Sequence, residues 1–337
     1  MSLITENFSL KSYNTFGIDI RARYFVSLMT IKEVEEFLKN NPLSGNPFLI
    51  LGGGSNILFT KDFPGLVLHP DIKGIEILNE TVDFVRLKVG AAENWDAFVK
   101  YCINRNYGGI ENLSLIPGTV GSSPIQNIGA YGAEVKNSIE SVLALDMENS
   151  KERIFNNTEC QFEYRDSIFK REYKNKYLIT YVIFNLSKRP VLVTNYGKIR
   201  EELEKFNKID ISAIRQVVIR LRNKKLPDPK ELGNAGSFFK NPIVEKTITN
   251  DIRKQFPGLP TNPISNTYEK IPAAWLIEKC NWKGKRIGDA GIYKHHSLVL
   301  VNHGKASGQE VLELAKKIRD SVVKKFGIKL EMEVTVI

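Results

Sequence analysis

The sequence predicts an α+β fold built from two or three packed units. Its 337 residues exceed what one ordinary core holds. Strand and helix signals follow one another without the regular rhythm of a doubly wound sheet. Two glycine-rich segments, 113–132 and 234–242, break the periodic pattern, and the first is too apolar for a floppy linker. Loops of that kind lie against ligands, because their backbone N–H groups need partners when buried.

Taken in order, Thr30 to Asn40 reads as a helix, with Thr30 and Glu33 as a capping box and Ile31, Val34 and Leu38 on one face. Phe48 to Leu51 is a short buried strand that enters Gly52-Gly53-Gly54-Ser55-Asn56, and Ile57-Leu58-Phe59 is strand-like again. Val85, Leu87 and Val89 alternate with charged residues, which predicts a half-buried strand. Trp95 to Asn106 reads as a helix with Phe98, Val99 and Cys102 on one side. Strands are expected at Val142 to Met147 and Tyr177 to Leu186, then a helix from about Ser212 to Asn223. Leu226-Pro227-Asp228-Pro229 stops that helix, since proline lacks the amide donor. A long helix from Ser307, boxed with Glu310, runs to Gly327. The segment 328–336 reads as one strand, with Ile328, Leu330, Met332, Val334 and Val336 on one face and Lys329, Glu331, Glu333 and Thr335 on the other.

Composition narrows the function classes. Hydrophobic residues at 42% and charged residues at 26% suit a soluble enzyme. Met1 to Asn14 has no sustained apolar run, and the longest apolar stretches, such as Leu298 to Val301, fall far short of a bilayer span, so no membrane partner is expected. Cys102, Cys160 and Cys280 stand apart without CxxC spacing, which points to a reducing, cytoplasmic compartment and away from zinc. The net charge of +10 admits nucleic acid or anionic ligands. No nucleic-acid motif accompanies the basic residues, so small anionic ligands are the expected partners and nucleic acid is not.

Gly52 to Asn56 follows a strand, but Ile57 stands where a dinucleotide fingerprint requires glycine and no helix follows, so the Rossmann reading fails. What remains is a tight turn or a nest of N–H groups for a phosphate. His69, His295, His296 and His303 show no metal spacing, and no metal is expected. Ser237 is outside any GxSxG elbow, and two readings of its hydroxyl stay open, a bond to its own loop or to a ligand. Glu331 and Glu333 read, on pattern alone, as a solvent face.

Seven segments carry a resemblance. They are Tyr13 to Gly17, Leu51 to Asn56, Ile116 to Gly118, Gly121 to Gly132, Tyr164 to Phe169, Lys225 to Pro229, and Gly233 to Pro242. In that order they resemble the UDP-N-acetylenolpyruvoylglucosamine reductase family, over nearly the whole chain. Tyr164 to Phe169 and Tyr196 resemble its longer, type I subtype. The resemblance implies an FAD-binding domain of vanillyl-alcohol-oxidase (PCMH) type over residues 1–224, with subdomains of about 1–70 and 71–224. A C-terminal α+β substrate domain would occupy residues 225–337.

By the same resemblance FAD is held by Gly52, Gly53, Gly54, Ser55, Asn56, Pro117, Gly118, Gly121, Ser122, Ser123, Gln126, Asn127, Gly129 and Ala130. Neither loop contains histidine, so the flavin is expected to be non-covalent, with NADPH as co-substrate. The substrate is expected to be the enolpyruvyl UDP-sugar of peptidoglycan synthesis, and the enzyme a monomer. Arg165 would stand beside the substrate carboxylate, Ser237 would deliver a proton, and Glu333 would polarise the enolate, with Glu331 the alternate. Tyr131, Tyr196, Arg222, Lys225, Asn241 and His296 match substrate-contacting positions. His295-His296 departs from the family pattern, where glutamine stands, which leaves the contact of His296 open.

Overall fold

The structure, a computed structural model, describes residues 4–40 and 45–337. The chain forms two compact units that are not contiguous in sequence. The first comprises the segment ending at Phe8, Ala22–Gly54 and Pro64–Arg222; the second comprises Ser9–Arg21, Ser55–Phe63 and Asn223–Ile337.

The first unit is organised by an antiparallel five-stranded sheet in the order Glu152–Asn156, Ile139–Asp146, Tyr177–Ser187, Phe84–Gly90, Ile75–Glu80. Strand Phe84–Gly90 buries Val85, Leu87 and Val89, as the alternation predicts. Each such side chain stabilises the fold by roughly 1.5–3 kcal/mol. Helix Trp95–Ile103 packs Trp95, Phe98, Val99 and Cys102 into the same core, where Phe98 and Phe184 lie 4.8 Å apart. Asn94 caps that helix by accepting the Ala97 N–H at 2.9 Å. A four-stranded sheet, in the order Thr5–Ser9, Arg21–Leu28, Phe63–Pro70, Phe48–Ile50, carries helix Ile31–Asn40. The expected capping box is present: the Glu33 N–H donates to Thr30 Oγ1 at 3.1 Å and the Thr30 N–H to Glu33 Oε2 at 3.3 Å. Helix Ile211–Lys225 starts at Asp210, whose carboxylate accepts the Ala213 N–H. It buries Ile214, Val217, Val218 and Leu221 at helical spacing.

The second unit contains a sheet in the order Gly233–Ser237, Val299–Asn302, Ala290–Ile292, Arg286–Ile287, with helices Lys246–Gln255, Ala273–Lys279 and Gly308–Phe326. The Ser307–Glu310 box opens the last helix, and Gly327 closes it in the left-handed conformation at φ +68°. Gly233 has no room for a side chain, since a Cβ there would lie 2.2 Å from the Phe16 carbonyl oxygen. Asn302 Nδ2 and the Asn234 N–H donate to Phe16 O and Thr15 O, so the Tyr13–Gly17 motif is a structural strap within this unit.

Two expected elements differ. Gly233–Ser237 is a strand, with a bulge between Asn234 and Ser237, rather than part of a loop. The single strand expected over 328–336 does not form. Ile328 and Leu330 are buried and Lys329 and Glu331 exposed, as the alternation predicts. Among the described residues, however, the backbone finds ladder partners only at Met332, bridged to Phe239, and at Thr335–Val336, parallel to Ile57–Leu58. Side-chain alternation reports burial; pairing needs a neighbouring backbone at each residue.

Candidate active site

In the first unit the glycine loops meet backbone to backbone. A Cβ on Gly53 would lie 3.1 Å from Gly118 Cα, one on Gly52 3.1 Å from Thr119 Oγ1, and one on Gly121 2.5 Å from Ala91 Cβ. Gly54 and Gly118 have φ +58° and +122°, which only glycine adopts freely. Val120–Ser122 is a 3-10 turn with Ser122 Oγ donating to Thr119 O, and Ser123 Oγ donates to Val120 O. The two serine hydroxyls thus hold the loop, and what the loops offer a ligand is small, backbone-lined surface. That surface fits a pyrophosphate-bearing cofactor such as FAD.

Asn127 is fully buried, and its side chain spends its bonds internally. Nδ2 donates to Glu134 Oε2 at 3.0 Å and to Glu163 O at 2.9 Å, while Oδ1 accepts the Lys136 N–H. Its side chain therefore braces the loop. His69 lies beside the loop although distant in sequence: Nδ1 donates to Leu51 O at 2.7 Å.

Arg165 projects from the Glu163–Asp166 turn at φ +57°. Its Nη2 donates to Gly129 O at 2.6 Å, and a Cβ on Gly129 would lie 2.9 Å from Arg165 Nη1. A side chain at 129 would crowd this guanidinium and the Ala133 carbonyl oxygen, 3.0 Å away. Arg222 is partly buried, and Nε donates to Leu115 O at 3.2 Å. Burial pulls the Arg222 guanidinium below the ordinary arginine range; Tyr131 and Asp96 oppose this, and Arg165 adds to it. The two guanidinium groups lie close enough to repel each other, and a cationic surface of this kind suits an anionic ligand. Burial pushes the Tyr131 phenol up, against the pull of Arg222. Tyr131 and Tyr196 rings stand edge to face at 6.3 Å, with Tyr196 55% exposed and so accessible to a ligand.

In the second unit, the residue after Ser237 pairs with the C-terminal segment. The Glu333 N–H donates to Phe238 O at 2.8 Å and the Lys240 N–H to Glu331 O at 2.9 Å. Asn56 Nδ2 donates to Glu333 O at 3.1 Å, so Asn56 braces the glutamate from the other side. Ser237 is partly exposed, and no hydrogen bond to its hydroxyl occurs among the described residues. The two glutamates differ: Glu331 is 70% exposed and paired with Lys240 at 2.6 Å, whereas Glu333 is partly buried.

Asn241 Oδ1 accepts the Ala273 N–H at 2.9 Å, at the start of helix Ala273–Lys279. Lys225 is exposed at the end of its helix. His296 Nδ1 accepts the Leu298 N–H at 3.3 Å, which places the neutral ring's proton on Nε2. Burial and then Lys225 push His296 down to about 4, against the pull of Glu278. The expected residues divide by unit: Gly52 to Gly54, the 117–131 loop residues, Arg165, Tyr196 and Arg222 lie in the first, and Ser55, Asn56, Lys225, Ser237, Asn241, His296 and Glu333 in the second.

The sequence reading missed the residues that brace these groups. Asn112 Nδ2 donates to Tyr131 O at 3.0 Å and Val193 O at 2.9 Å, and Asp96 and Arg215 form a bidentate pair at 2.6 and 2.8 Å. A buried asparagine beside a loop and a charge in a helix's first turn are too common to signal this. Among the described residues no cluster of His, Cys, Asp or Glu is placed to hold a metal, and no helix is long and apolar enough to cross a membrane.

Residues 228–337 match the family described as UDP-N-acetylenolpyruvoylglucosamine reductase, C-terminal domain, and residues 22–155 match an FAD binding domain. The chain is 49% identical over 337 residues to the UDP-N-acetylenolpyruvoylglucosamine reductase of Flavobacterium johnsoniae, covering 99% of each. It is 46% identical to that of Bacteroides fragilis, covering 98% of this chain and 99% of the relative. The reductase structure from Thermus caldophilus superposes with TM-score 0.70 at 24% identity, covering 100% of this chain and 98% of the other. The 4-ethylphenol oxidase of Gulosibacter chungangensis shares the fold at TM-score 0.55 and 9% identity, covering 97% and 84%. The fold is thus the α+β, PCMH-type FAD-binding architecture. The chain belongs to the UDP-N-acetylenolpyruvoylglucosamine reductase family and is an FAD-dependent oxidoreductase.

Proposed function

We propose that this enzyme reduces UDP-N-acetylglucosamine enolpyruvate to UDP-N-acetylmuramate in cytoplasmic peptidoglycan synthesis, with NADPH as the reductant. The observation that supports this reading is that Arg165, held on Gly129 O, and Arg222, held on Leu115 O, lie near Tyr131, a cationic surface suited to a carboxylate or a diphosphate. The relatives' shared name supplies the substrate.

Bound FAD supplies hydride relay, from NADPH to the methylene carbon of the enolpyruvyl group. The loops of Gly52 to Gly54 and Gly118 to Gly121 would hold its pyrophosphate. Negative charge then develops on the substrate carboxylate, and Arg165, held by Gly129 O, is the cation that stabilises it. Ser237 donates the proton to the adjacent carbon; its hydroxyl, without a competing protein bond among the described residues, is available for this. Glu333, partly buried and gripped through both its backbone groups, polarises the enolate. Arg222, Lys225, Asn241, Tyr196 and the Nε2–H of His296 bind the sugar diphosphate.

Anaerobic stopped-flow tests it. NADPH should bleach the flavin's visible absorbance, and the enolpyruvyl UDP-sugar should restore it with formation of UDP-N-acetylmuramate. Reduced flavin that the UDP-sugar fails to reoxidise would retire the proposal.

A further inference from the structure

We infer that Asp96 is a positioning residue for substrate binding, acting on Arg222 through the backbone of Leu115. This rests on the reading of Arg222 as a substrate-holding residue. Asp96 stands in the first turn of helix Trp95–Ile103. Arg215 grips its carboxylate from one side, Nη1 to Oδ1 at 2.6 Å and Nη2 to Oδ2 at 2.8 Å. From the other side Oδ1 accepts the Leu115 N–H at 2.5 Å. The Arg215 side chain is only 13% exposed, so this bidentate pair is shielded from water and holds one geometry.

Leu115 is the residue that geometry acts on. Its φ is +58°, a conformation that a bulky side chain avoids. No glycine is there to make it free; the bond from Asp96 holds it. With the N–H turned to Asp96, the Leu115 carbonyl accepts Arg222 Nε at 3.2 Å. Arg222 has no side-chain carboxylate partner in its hydrogen bonds among the described residues, so this carbonyl sets its direction. Burial would push the Asp96 carboxyl up, but Arg215, the Leu115 N–H and the nearby Arg222 outweigh it and keep it ionised. The clamp therefore stays charged at neutral pH. Released, Leu115 relaxes and Arg222 loses its aim.

The test is a thermodynamic cycle on the FAD-bound enzyme. UDP-N-acetylglucosamine enolpyruvate is titrated into wild type, Asp96→Asn, Arg222→Ala and the double variant, with the flavin spectrum as readout. Misplacing a positioning group costs up to about 100-fold, and Asp96→Asn is expected to raise Kd at least about tenfold. Arg222→Ala should raise it further, and the double variant should match Arg222→Ala alone. A structural role would instead cost the same factor in both backgrounds, and that result overturns the inference. Leu115→Gly in the Asp96→Asn background should recover affinity, since glycine holds φ +58° unaided; no recovery counts against it. If Asp96→Asn fails to fold, Arg215→Lys enters the same cycle. An Arg222→Ala enzyme that binds the sugar normally retires the reading of Arg222, and the inference with it.

Discussion

The Glu333 N–H donates to the Phe238 carbonyl at 2.8 Å, so the C-terminal segment is tied to the residue that follows Ser237. Asn56 Nδ2 takes the Glu333 carbonyl at 3.1 Å. The proposed proton donor and the proposed polarising carboxyl are thus set by one backbone register within the second unit. Glu331, two residues earlier, pairs with Lys240 at 2.6 Å and is 70% exposed. Glu333→Gln is therefore expected to lower kcat about 10²–10⁴-fold. Glu331→Gln loses an exposed ion pair worth at most about 1 kcal/mol and should leave kcat within a few-fold. Steady-state rates of the two variants check this; the reverse order would exchange their roles.

For Ser237 the two half-reactions separate the roles. Ser237→Ala should leave NADPH reduction of the flavin nearly intact and slow formation of UDP-N-acetylmuramate by about 10²–10⁴-fold. Ser237→Cys should recover part of the loss, because a thiol still donates. Flavin traces alongside a product assay measure both. An alanine variant forming product at the wild-type rate would end the proton-donor role.

FAD is expected to be non-covalent. Neither glycine loop contains histidine, and His69, the histidine the fold brings beside Gly52, has Nδ1 bound to Leu51 O. Acid precipitation should release all the yellow colour into the supernatant. Colour retained in the pellet would identify a tether, with His69 the first residue to replace.

His296 carries an acid liability. Burial and Lys225 depress it to about 4, below its usual value of about 6.5 when unfolded. The unfolded chain therefore binds the extra proton first. Stability from this group is fully present above about pH 6.5 and is lost as pH falls towards the folded value. The slope reaches about 1.4 kcal/mol per pH unit for one proton. His296→Gln should flatten that part of a denaturant-stability profile between pH 4 and 6.5. A variant with the wild-type slope would place the liability elsewhere.

Much of the fold was legible because its signals are local. The Thr30–Glu33 and Ser307–Glu310 boxes join residues three apart, and helix and strand periods show directly in 211–221 and 85–89. The close approaches at 52, 53 and 121 also left a mark, since glycine fits a crowded backbone without displacing its neighbours. Those signals, with the ordered motifs, determined the α+β class and the candidate residues.

The bracing of the site was decided by the tertiary structure alone. Asn56 meets Glu333 across 277 residues, and Arg215 meets Asp96 across 119. Asn56 donates to the Glu333 carbonyl, and the Asn127 side chain bonds to Glu134 and Glu163, contacts that no local pattern announces. The alternation in 328–336 announced which side chains would be buried but not which backbone would pair with them. Propensity and period act over a few residues. A hydrogen bond between distant segments depends on where the chain crosses itself, and no local pattern encodes that crossing.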